Sequence, residues 1–146
     1  MSGPALRQVS SHRAIHEHAR QEVEEVLAVA ERLLGRGDSE RFIEVAEVFL
    51  EVAEARVLVH AHEEEIGLYL EWVGSQADVV PFIDTLKKEH GELRRCAVEV
   101  EEAMVEGRHQ MALQLMRAFL TTLKSHADHE ESVLIELKDK VGSMPS

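Results

Sequence analysis

Residues 57–70 read VLVHAHEEEIGLYL. Val57 and Leu68 mark one face of a helix, and His60 and Glu64 fall on that same face. Helical residues four apart lie about 40° from one another around the axis. An imidazole and a carboxylate therefore point together toward what is otherwise core. A second stretch, HADHEESVLIEL at 126–137, aligns without gaps with HAHEEEIGLYLE at 60–71. Each begins with a histidine and has a glutamate four residues on, so His126 and Glu130 repeat the His60/Glu64 pair further along the chain.

The apolar spacing on either side predicts four helices. The first, residues 4–34, carries Ala19, Val23, Val26/Leu27, Ala30 and Leu33/Leu34 on one face, and Gly35-Arg36-Gly37 ends it. Asp38 or Ser39 caps the second, which runs to Val73 with Phe42, Ala46, Phe49, Ala53, Val57, His60, Glu64 and Leu68 inward. After a turn at residues 74–78, Pro81 suits the first position of a third helix. Its stripe is Leu86, His90, Leu93, Ala97, Val100 and Met104, up to Gly107. The fourth, residues 109–141, turns Leu115, Phe119, Leu123, His126, Glu130, Val133/Leu134 and Leu137 inward. No segment alternates with the period of a strand. The expectation is an all-α, up-down-up-down four-helix bundle, a single domain over 1–146 with the bundle at about 5–141 and a tail at 142–146. In such a bundle the second and fourth helices run parallel, each carrying one His-x-x-x-Glu pair.

Composition narrows the function. A formal net charge of −12 repels phosphate backbones and anionic lipid, which argues against nucleic-acid and membrane partners. No apolar run reaches membrane-spanning length, and Met1–Ser10 lacks the layout of a signal peptide. A single cysteine, Cys96, permits neither an internal disulfide nor a thiolate cluster. A cytoplasmic location is the expectation.

Histidine is abundant, at nine residues, and its placement is patterned. His90 lies on the inward face of the third helix. The stripe of the first helix, extended backwards from Val23, reaches His16 and then His12. His16 and His60 lie at similar distances from the Gly35–Gly37 turn, as do His90 and His126 from Gly107, so all four helices present these groups at one level. Two buried carboxylates and four or five buried imidazoles cost many kcal/mol unless something compensates them. A pair of cations does so, with Glu64 and Glu130 as bridges. Mixed imidazole and carboxylate ligation without thiolate suits iron or manganese, and zinc less specifically. A di-iron centre is the expected cofactor.

The pattern His16…His60-x-x-x-Glu64…His90…His126-x-x-x-Glu130 resembles the hemerythrin-like (HHE cation-binding) family over nearly the whole chain. The resemblance implies a non-haem, oxo- or hydroxo-bridged pair of irons. It also implies a role in binding dioxygen, in handling peroxide or nitric oxide, in sensing iron or oxygen, or in iron–sulfur repair. The chain departs from the oxygen carriers of the family: Arg94 follows His90 where they have a second histidine, and Glu130 follows His126 where they have a more distant aspartate. It looks more like the bacterial and di-iron repair members. His12 offers a further nitrogen, while Arg20, Val23 and Val26 follow His16 at spacings resembling the repair proteins; spacing leaves both in the ligand set.

The expected function is thus binding or turnover of a small oxidant (dioxygen, peroxide or nitric oxide). An iron- or oxygen-responsive module, or iron holding without turnover, is the alternative. Outside the ligand set, His18, His62 and His109 are expected in solvent and Glu63, Glu65 and Glu131 exposed, with Glu63 also near enough to the ligands to orient one of them. His129 is a candidate to orient His126 or Glu130. Tyr69 and Trp72 read as packing residues and Cys96 as redox-inert, while Arg94 either pairs with an inward glutamate or extends out of the bundle.

Overall fold

The apolar stripes become four helical arms in the computed structural model, which describes the backbone of residues 3–143 and the side chains of residues 11–137 and 139. The first arm is α1 (Gly3–Gly35). It ends where Gly37 adopts φ 73°, with the Gly37 amide donating to the Leu34 carbonyl and the Asp38 amide to that of Leu33, both at 3.0 Å. The Asp38 carboxylate then accepts from the Arg41 amide at 3.2 Å and starts α2 (Ser39–Val52). The second arm continues through a π-helical turn (Ala53–Leu58), α3 (Val59–Ile66) and α4 (Leu68–Ser75). A short 3-10 turn (Ala77–Val79) leads into α5 (Val80–Val105), with Pro81 in its first turn. Gly107, also at φ 73°, repeats the closure seen at Gly37, and α6 (His109–Ser143) is the fourth arm.

Two expectations change here. The second helix is not continuous, since the π turn and a break at Gly67 (φ −126°, ψ −83°) divide it. The last helix runs through Ser143, and residues 144–146 of the expected tail lie outside the described residues. Among the described residues there is no strand, and no helix is long and apolar enough to cross a membrane.

α1 packs on α2 and α6, and α5 on α6 and α2, so the arms close into a ring of alternating direction. The core falls into two apolar clusters. One holds Val23, Phe42, Phe49, Leu93, Val100, Met116 and Phe119, with Phe49 and Phe119 meeting edge to face at 5.5 Å. The other holds Trp72, Ile83, Leu86, Val133 and Leu134 together with Tyr69. On α5 and α6 the polar residues His90, His126 and Glu130 fall between positions belonging to the two clusters, and all three are buried. A polar layer thus interrupts an otherwise apolar interior.

Candidate metal centre

The irregularities of the second arm set the facing of its ligand pair. A π turn fits one extra residue into a helical path and so shifts the phase of the residues after it by about 100°. Ala61 and Glu64 consequently sit at the middle of the buried face, and His60, half-buried, leans to the side of α1. The break at Gly67 then turns Tyr69, rather than the expected Leu68, into the core.

All seven sequence-predicted residues converge. One group of donor atoms comes from His12, His16, His60, Glu64 and Glu130, and a second from Glu64, His90, His126 and Glu130. Within each group the atoms lie within 4.8 Å of one another, and the two groups share both glutamates. Glu130 Oε1 faces His16 Nε2 at 2.9 Å and His12 Nδ1 at 3.2 Å, while its Oε2 lies 3.3 Å from His126 Nε2. Glu64 Oε1 lies 3.3 Å from His90 Nε2, and its Oε2 stands 3.4 Å from His60 Nε2 and 3.7 Å from His12 Nδ1. Each carboxylate therefore turns one oxygen to each group.

Carboxylates outside the two groups orient the second one. The Nδ1–H of His90 donates to Glu65 Oε2 at 2.8 Å, and the Nδ1–H of His126 donates to Glu89 Oε1 at 2.9 Å. Arg94 holds Glu65 at 2.6 Å, and exposed His129 pairs with the other oxygen of Glu89. Burial alone would raise both acids. Hydrogen bonds from Arg94 and His90 keep Glu65 below the ordinary carboxylate value, and those from His126 and His129 do the same for Glu89.

With both Nδ1 atoms committed as donors, the two Nε2 atoms turn inward and meet at 3.0 Å. Two lone pairs at that distance repel unless a proton or a cation lies between them. Burial depresses His126, but its hydrogen bonds to Glu130 and Glu89 outweigh that and push it up to about 9. Burial would likewise raise Glu130, yet hydrogen bonds from His12, His126 and His16 hold it well below the usual carboxylate range. The positive charge these carboxylates attract is one a bound cation supplies by displacing protons. His60 Nε2 and Glu64 Oε2 are buried without a hydrogen-bond partner among the described residues, the pattern expected of atoms reserved for a ligand. The donor set fits a pair of cations.

Compared with known families, residues 7–137 match the model described as "Hemerythrin HHE cation binding domain". The chain belongs to the hemerythrin HHE family. No curated protein and no solved structure matches it. As an HHE domain it binds metal cations, and its His/Glu groups lie where they could hold them.

Several residues of this HHE chain play roles that periodicity does not reveal. Glu65 is half-buried rather than exposed, because it bridges His90 and Arg94. Glu89 lies one position before His90 and off the apolar stripe, so no spacing marks it as a partner of His126. Tyr69 is more than packing, for its hydroxyl donates to Glu130 Oε2 and stands 3.2 Å from His90 Nε2. The signal for it is Gly67, a glycine inside a helical pattern. His109 is half-buried against Phe42 at 5.2 Å rather than in solvent. His129 reaches His126 only through Glu89, and Arg94 takes the ion-pair alternative. Cys96 donates to the Leu115 carbonyl at 3.0 Å, and burial pushes its thiol up to about 11, which keeps it protonated and unreactive. His18, His62 and Glu63 are exposed as expected, whereas Glu131 is half-buried and paired with Arg13.

Proposed function

We propose that the chain is a non-haem di-iron protein that binds or turns over a small oxidant: dioxygen, peroxide or nitric oxide. Two donor groups that share both glutamates carry this reading, because shared carboxylates are what a dinuclear centre uses as bridges. His12, His16, His60, His90 and His126 act as terminal ligands, and Glu64 and Glu130 as bridges. Iron, when bound, supplies the redox chemistry.

The chain's own residues hold and shield that centre. Glu65 and Glu89 fix the ring orientation of His90 and His126 and leave Nε2 as the ligating atom. A cavity of about 20 Å³ opens beside His16, His60, His90 and His126, lined otherwise largely by apolar residues such as Ala19, Val57, Leu93 and Leu123. That is room for about one water-sized molecule beside the histidines. The partner is the small oxidant itself, and the net charge of −12 disfavours nucleic acid and anionic membrane. A cytoplasmic location goes with this reading.

The test is metal content and the optical spectrum of protein produced with added iron. About two irons per chain, with the near-ultraviolet absorption of bridged ferric iron, is the expected result. Addition of azide, peroxide or nitric oxide should then change that spectrum. One zinc per chain, or a folded bundle that takes up no iron, would sink the proposal.

A further inference from the structure

The two donor groups are unequal in a way that singles out one more residue. Beyond the shared glutamates, the first group has three imidazoles, from His12, His16 and His60, and the second only two, from His90 and His126. α5 offers no further nitrogen there, since the side chain one turn after His90 is Arg94, held by Glu65. On the second group, however, lies the hydroxyl of Tyr69. It donates to Glu130 Oε2 and stands 3.2 Å from His90 Nε2, touching two of that group's four donor atoms. Donors that each reach one cation at about 2.1 Å, at right angles, stand about 3 Å apart, so this spacing is that of neighbours in one coordination shell.

We infer that the Tyr69 oxygen is the third terminal donor of the cation position formed by His90 and His126. The inference rests on the di-iron reading and deepens it. Tyr69 is fixed in place: it is 1% exposed, its ring lies parallel to that of His90 at 5.6 Å, and Trp72 packs on it at 5.5 Å. The Gly67 break is what brings it there, because it moves the inward position from 68 to 69. On coordination the phenolic O–H bond breaks, a metal–oxygen bond forms and the proton passes to water. No electron moves. Each position then has three terminal donors, with nitrogen alone on one side and an oxygen on the other, which makes the two cations chemically distinct.

Tyr69 is the only tyrosine in the chain, so a spectrum of the wild-type protein is decisive. The protein is loaded with ferrous iron, oxidised in air, and its visible absorption and resonance Raman spectrum recorded. A tyrosinate oxygen on ferric iron gives a visible charge-transfer band that enhances phenolate ring modes; imidazoles and carboxylates do not. The expected result is that band in the wild type and its complete loss, per iron bound, in Tyr69→Phe. Iron uptake with bridged-iron absorption but no phenolate modes would overturn the inference and leave the di-iron reading standing. Persistence of the band in Tyr69→Phe would also overturn it, and absence of iron uptake would overturn both. Should Tyr69→Phe fail to fold, the wild-type Raman spectrum alone distinguishes the outcomes.

Discussion

At the scale of single residues, most of the site's polar atoms are explained by the need to aim Nε2 of two histidines at one point. Glu65 and Glu89 do this from the preceding arm in each case: the second arm holds His90 of α5, and α5 holds His126 of α6. Replacing Glu89 by Gln keeps an acceptor but removes its charge and weakens its hold on His126. Loss of such an orienting carboxylate typically costs about ten- to a hundred-fold in metal affinity. Glu89→Gln is expected to fall in that range when iron or zinc is competed away with a chelator, while the bundle stays helical. An unchanged affinity would show that the His126 ring is held by packing alone. The ligand histidines are legible in the sequence because four-residue spacing forces neighbours onto one face. Their orienting acids are not, because Glu65 and Glu89 sit beside inward positions, where only the packing of the next helix decides what they meet.

At the scale of elements, the second arm is the one whose shape the sequence understates. One residue more than a regular α-helix needs lies in this arm ahead of His60. The inserted residue is absorbed by the π turn Ala53–Leu58 just ahead of His60. Deleting exposed Ala55 should convert this turn to ordinary α-helix while leaving Ala61 and Glu64 facing inward. Iron stoichiometry and helical circular dichroism are expected to be unchanged. Loss of iron binding in that deletion would mean that the π geometry itself places His60. The repeat between 60–71 and 126–137 holds through Glu64 and Glu130 and then diverges: Tyr69 is buried, whereas its counterpart Ile135 is exposed. Gly67 accounts for the difference, since α6 has no break at the corresponding position.

At the scale of the whole molecule, the polar layer couples stability to pH and to metal. In the metal-free protein His126 is raised from 6.5 to about 9. Its contribution is therefore fully present below about pH 6.5 and is lost as pH rises through about 9, a difference on the order of 3 kcal/mol. Metal binding reverses the dependence, because a ligating imidazole must give up its proton and uptake is favoured as pH rises. Thermal melts at about pH 6 and about pH 8.5 should show the metal-free protein weakening, and the gap between loaded and metal-free protein widening. A gap that narrows with rising pH would mean that the histidines of the polar layer are not ligands.

The helical class, the turns at Gly37 and Gly107, and the four faces bearing histidine and glutamate are all written in local spacing. Periodicity and glycine at positive φ are local properties, written in neighbours three and four apart. Packing alone brings His12 and His16 both to Glu130, makes Glu64 and Glu130 common to two donor groups, and stands Tyr69 at the second. Those relations depend on the phase of the second arm after two helical irregularities and on how four arms meet across the core. Distances between residues that are far apart in the chain are set by packing, which no local spacing encodes.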